Sequence, residues 1–323
     1  MRKLTLMRPL NRVWRSVQRL APWTNSVGLA RSLVAFATLG TLAASPVHSL
    51  FRPGVGIPEY PRCQGLGQGS LFCLSHASGW LEVSRWLAVA ALALVVSGWR
   101  PRWTGLLHAW VNFSICSSAL MLDGGDQAAS NFALLLLPWA LTDGRRWHWD
   151  PASDAGTASP AASALAWVSR AAIGAQVALI YLDASVGKMM APEWENGTAV
   201  YYWFTHPTFG APRWLAGLLH PLLTHGWSVS ALTWGTMMLE LLLGVAFLMR
   251  ARTQRAFFIL GLGLHIGIAL VHGLTSFSLT MCGALLVYLG PPTLAWPGAM
   301  RRMVRALKER LRMAAAPVPD TVA

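Results

Sequence analysis

The chain has 323 residues, of which 54% are hydrophobic and only 12% charged, with 17 tryptophans and a formal net charge of +13. A typical soluble domain carries about twice that charged share, so a soluble core is excluded and a polytopic membrane protein is implied. The cations fall between apolar runs and at both ends, the pattern that orients membrane helices; no zinc-finger spacing, nucleic-acid module or phosphate-binding glycine loop points to nucleic acid.

In chain order, residues 1–26 form a basic segment, expected to lie in the cytoplasm as a tail or as an amphipathic surface helix with Trp14 and Trp23 at the headgroups. Apolar runs follow at 27–45, 80–98, 103–122, 128–142, 165–190, 228–249, 256–272 and 276–290, predicting an all-α bundle of about eight transmembrane helices. The fourth and last runs are short for a crossing and are expected to tilt, kink or re-enter. The basic lead-in is long for a secretory signal, so the first run reads as a retained span. With both termini inside, 21 of the 26 Lys and Arg residues, Arg31 among them, fall on the cytoplasmic side. Residues 45–79 and 191–227 then lie outside, 150–162 forms a small polar cytoplasmic linker, and 292–323 is a basic cytoplasmic tail.

Cys63 and Cys73 share the first outside loop, where an oxidising compartment lets them pair, while Cys116 and Cys282 fall in spans. Ionisable residues inside apolar runs are functional candidates because placing them there is costly. They are Glu82 and Arg85, spaced as a structural i, i+3 pair, with Asp183, Lys188, Glu240, His265 and His272. Counting from span ends puts Glu240 roughly 18 Å below the outer end of its run and His265 roughly 10 Å deeper than His272, so the first two are expected to meet near mid-bilayer. Lys188 and His272 lie near the outer interface, where Asp126 of "DGGDQ" and Glu193 complete an expected polar pocket. On spacing alone, Lys188 either lines that pocket or snorkels to the headgroups. Tyr181, Ser185 and Lys188 share one helix face, whereas Asp183 is on another and is read as holding the helix in its bundle. "SVGK" has the Ser-x-x-Lys spacing of some hydrolases without their other motifs, and no metal site is assigned to the histidines.

The stretch "YLDASVGKMMAPEWENGTAVYYWF", the later "HIGIALVHGLTSFSLTMCGALLVYL" and "GGDQ" resemble the bacterial sporulation-delaying protein B family. That family sits within the wider group of HTTM (horizontally transferred transmembrane) domains, related to the membrane part of vitamin K-dependent gamma-carboxylases. The resemblance covers about residues 28–291, and its most specific part is Lys-x(5)-Trp-x(2)-Gly at Lys188, Trp194 and Gly197. It implies an HTTM-like transmembrane domain over residues 27–291 of a multi-pass protein in the bacterial inner membrane. The implied role is maturation of an exported antimicrobial peptide toxin, with the peptide precursor and a small accessory protein as partners. It also implies an alternative, a membrane redox enzyme using a quinol, with Lys188 as base. A transporter with a Glu240 and His265 proton relay is a third class.

Overall fold

The computed structural model describes residues 21–53, 60–119, 123–150 and 159–294. The N-terminal segment up to residue 20, most of the 150–162 linker and nearly all of the 292–323 tail lie outside the described residues. Eight long helices carry the architecture: α1, Asn25–Ala44; α2, Leu81–Ser97; α3, Pro101–Ser118; α4, Gly124–Thr142; α5, Pro160–Met189; α6, Gly226–Val245; α7, Ala251–His272; and α8, Thr275–Tyr288. Among the described residues no strand forms; the nearest thing to one is a bridge between Trp99 and Trp147.

Helix starts follow local chemistry. The Thr24 hydroxyl accepts the Val27 N–H, Asp123 Oδ1 accepts the Asp126 N–H at 2.8 Å, and Ser159 Oγ accepts the Ala162 N–H ahead of Pro160. The Asp123 cap starts α4 at Gly124, so Asp126 belongs to its first turn and not to a connecting loop. Between α2 and α3 the chain turns at Gly98, whose φ of +82° is left-handed. A Cβ there would meet the His148 ring and Trp149 at 2.5 Å, so only glycine fits.

Helix α1 is central and packs on α8, α2 and α4; α4 adds α3 and α5, α5 packs on α6, and α7 on α8 and α6. One core joins α1, α4, α5, α6 and α8 through Val27, Phe132, Trp139, Ile173, Val177, Leu243 and Leu285. A second joins α1, α2 and α3 through Ala35, Leu42, Leu92, Val95 and Ile115, with Phe72 from the short helix Leu71–His76. Large apolar side chains point outward, including Leu87, Leu179 and Ile259, as lipid permits. Among the described residues, four helices are both long and apolar enough to cross a bilayer: α1, α5, α6 continued to Leu248, and α7. Helix α8 is apolar but shorter, and α3 carries buried Thr104, His108, Asn112 and Ser114 along its length.

Two sequence expectations change here. Trp23 is not at a surface: it is buried, and its indole N–H donates to Thr142 Oγ1 at 3.1 Å because α4 packs beside it. Arg31 is not a surface cation either. It is fully buried, donating to Thr104 Oγ1 at 2.7 Å and facing His148 Nδ1 at 3.4 Å. Arg85 does pair with Glu82, and its guanidinium also donates to the Leu42, Ala43 and Ser45 carbonyls, satisfying the exposed acceptors at the end of α1. Cys63 and Cys73 are joined by a disulfide, while Cys116 and Cys282 are free.

Candidate functional site

The face shared by Tyr181, Ser185 and Lys188 on α5 meets α6 and α7. Lys188 Nζ lies 2.7 and 2.9 Å from the two carboxylate oxygens of Glu240, and 5.2 Å from the centre of the Trp194 ring. The carboxylate and the aromatic face together enclose the amine in an apolar setting. Their side chains are 24% and 9% exposed, so the pair is enclosed but Lys188 keeps an opening. Ser185 Oγ donates to the Met237 carbonyl at 3.0 Å, which ties up the hydroxyl of the Ser-x-x-Lys spacing. One turn further in, Tyr181 OH and His265 Nε2 are 2.7 Å apart, while His265 Nδ1 is buried without a partner. The close approach of α5 and α6 relies on Gly244, where a Cβ would sit 2.7 Å from Leu182.

The depth counted from span ends is corrected by these contacts. Ser185 is level with Met237, in the middle of α6, so Lys188 lies beside the middle of that helix and not at its outer end. Helix α5 ends at Met189, and the short helices Pro192–Glu195 and Ala199–Phe204 that follow lie against α6. Trp234 Nε1 donates to the Glu195 carbonyl and the Val200 N–H donates to Thr233 Oγ1. Gly197 has a φ of +79°, and a Cβ on it would meet Ser230 Oγ at 2.9 Å. In Lys-x(5)-Trp-x(2)-Gly the lysine thus supplies the charge, the tryptophan covers it, and the glycine seats the covering segment on α6.

The expected pocket of Lys188, Asp126, His272 and Glu193 is not assembled; each has different surroundings. Asp126 is buried and accepts from Thr41 Oγ1 at 3.1 Å, while Asp123 accepts from Ser276 at 3.0 Å. Gly125 lets the Phe277 backbone approach to 2.4 Å from where its Cβ would be, and the Phe277 ring lies 5.5 Å from His265. His272 Nδ1 donates to the Phe209 carbonyl at 2.7 Å and packs against Trp203 and Phe204. Glu193 is exposed, its side chain making no hydrogen bond or ion pair among the described residues. Glu240 pairs with Lys188 and not with His265, which takes Tyr181 instead. Asp183 does not hold the bundle together: it is exposed on the outer flank of α5.

A second buried polar cluster escaped the sequence reading. Arg31, Thr104, His108 and His148 lie together where α1 and α3 meet the 143–150 segment, and Asp143 binds Arg145 in a buried ion pair. His108 is one of several polar residues along α3 and Arg31 sits near the start of its run, so neither stands out by spacing.

Two curated relatives from Bacillus subtilis (strain 168) match nearly end to end. The Sporulation-delaying protein SdpB is 36% identical over 286 residues, covering 88% of this chain and 87% of SdpB. The chain belongs to the SdpB-like family. The uncharacterized protein YitO is 39% identical over 271 residues, 84% of this chain and 86% of its own length. No protein-family model matches this SdpB-like chain, and no solved structure matches it.

Proposed function

We propose that this SdpB-like protein is a bacterial inner-membrane factor that matures an exported antimicrobial peptide, acting through the Lys188–Glu240 site. The carrying observation is the ion pair itself: an ammonium and a carboxylate held beside the middle of an apolar helix under a tryptophan cover, an arrangement costly to keep for packing alone. The family relationship to a sporulation-delaying protein supports the peptide as the object of that site. An exported precursor and a small accessory protein are the partners in this reading.

All eight helices cross the bilayer in this reading, with both termini in the cytoplasm. The basic residues favour that sidedness, and α3 lowers its hydropathy with polar side chains that face inward and not towards lipid. Reporter fusions near Gly67 and Pro207 should then report the outside, and one near Asp154 the cytoplasm.

The test is Lys188→Arg in a host carrying the peptide genes. It keeps a cation for Glu240 but removes an amine that can give up its proton. Active secreted peptide should fall on the order of 10²-fold or more, as for loss of a proton-transferring group, with the protein's membrane level unchanged. Normal production would overturn the reading. A quinol reaction with Lys188 as base places one further demand: Glu240 must first accept the ammonium proton across the 2.7 Å contact.

A further inference from the structure

Asp183 is the carboxylate that the bundle leaves unexplained. It is exposed on α5, and neither it nor Gln176, two turns earlier on the same flank, makes a hydrogen bond or ion pair among the described residues. Both line an open groove of about 560 Å³ whose other walls are Leu179, Ile180, Leu182 and Val186. Depth follows from the antiparallel neighbour. Ser185 is level with Met237 and Leu182 with Gly244, which puts Asp183 within about 10 Å of the midpoint of the 23-residue apolar stretch Gly226–Leu248. The hydrocarbon layer extends roughly 15 Å to either side of its centre, so this carboxyl opens sideways into lipid. Residues at such positions are paired or hydrogen-bonded when the assembly is complete.

We propose that this face of α5 binds a membrane-spanning helix of another protein, one carrying a basic side chain opposite Asp183. Charge complementarity selects this occupant. A second copy in the same membrane orientation, packed symmetrically on this face, would bring two Asp183 carboxyls together, and like charges in a low dielectric oppose that. The apolar walls supply the packing contact, and Gln176 offers the same helix a hydrogen bond about 10 Å along. The inference does not depend on Lys188, which lies on the opposite face.

The experiment places a photo-crosslinking amino acid at Leu179 of the full chain in native host membranes, with and without Asp183→Leu. The expected product is a covalent adduct with an integral membrane protein whose span contains Lys, Arg or His. Its yield should fall about tenfold in Asp183→Leu, the loss of one polar contact between membrane helices. Asp183→Lys combined with Asp at the partner's basic position should restore the yield. Lipid adducts alone, an adduct with a second copy, a partner whose spans lack a basic residue, or a yield indifferent to Asp183 would each overturn the proposal.

Discussion

Two regions of this molecule bury a cation, and they do so in opposite ways. Lys188 is matched by a carboxylate, covered by one aromatic ring, and left 24% exposed at its side chain. Arg31 is completely buried and held by neutral acceptors, with the nearest carboxylate, Asp143, committed to Arg145. The first arrangement retains an opening and a proton acceptor; the second is closed and stitches α1 to α3 and the 143–150 segment. Burial of charge alone therefore does not mark a site. Access and a titratable partner do.

The largest expected effect separates the two directly. Lys188→Met or Glu240→Leu alone leaves an unpaired charge in an apolar setting and should destabilise by about 3–5 kcal/mol, towards the lower figure because Lys188 is partly open. The double variant should recover most of that stability while remaining inactive. Arg31→Met strands no charge, and Thr104 Oγ1 keeps the Trp99 carbonyl as its acceptor, so it should cost less than either single change. Thermal unfolding of the detergent-solubilised protein measures all four; equal losses at Arg31 and Lys188 would erase the contrast.

Much of the first region was legible in the sequence. The i, i+4, i+7 spacing put Tyr181, Ser185 and Lys188 on one face, and the apolar runs located all eight helices to within a few residues. The partner of Lys188 was not legible, because depth was counted as though every helix began at the same plane. The chain instead leaves α5 at Met189 and seats residues 192–204 on α6 around residues 230–234, so α5 ends partway along its neighbour. Asp126 was misplaced for a local reason: Asp123 caps a helix that starts at Gly124, four residues before the apolar run begins. The second region was illegible because Arg31 and His108 are single residues on separate helices, with no spacing pattern between them.

A smaller effect probes the inner end of the Lys188 face. Tyr181→Phe removes the 2.7 Å contact and leaves both His265 ring nitrogens buried without a partner, since Nδ1 already lacks one. The cost should be about 1–3 kcal/mol. If activity falls much further than stability, the tyrosine and histidine belong to the functional unit; if both fall together, they serve packing.

The smallest effect is the share of the pH dependence that His148 contributes in the Arg31 region. His148, in the segment after α4, is held well below the ordinary histidine range, first by burial and then by the charges of Arg31 and Arg145, with His108 also facing it. The hydrogen bonds agree. Nδ1 accepts from the Arg31 guanidinium and Nε2–H donates to Ser32 Oγ at 3.2 Å, so a second ring proton would point at a cation's N–H. The unfolded chain takes up that proton near pH 6.5, whereas the folded one does not. Stability from this residue is therefore complete above pH 6.5 and declines below it, by about 0.8 kcal/mol at pH 6 and about 1.4 kcal/mol for each further unit. His148→Gln keeps an acceptor for Arg31 without titrating, so unfolding followed from pH 7.5 to 5.5 should lose this slope. A slope unchanged by the substitution would mean that His148 is charged in the folded protein and that the Arg31 cluster is not the closed, neutral-lined structure described above.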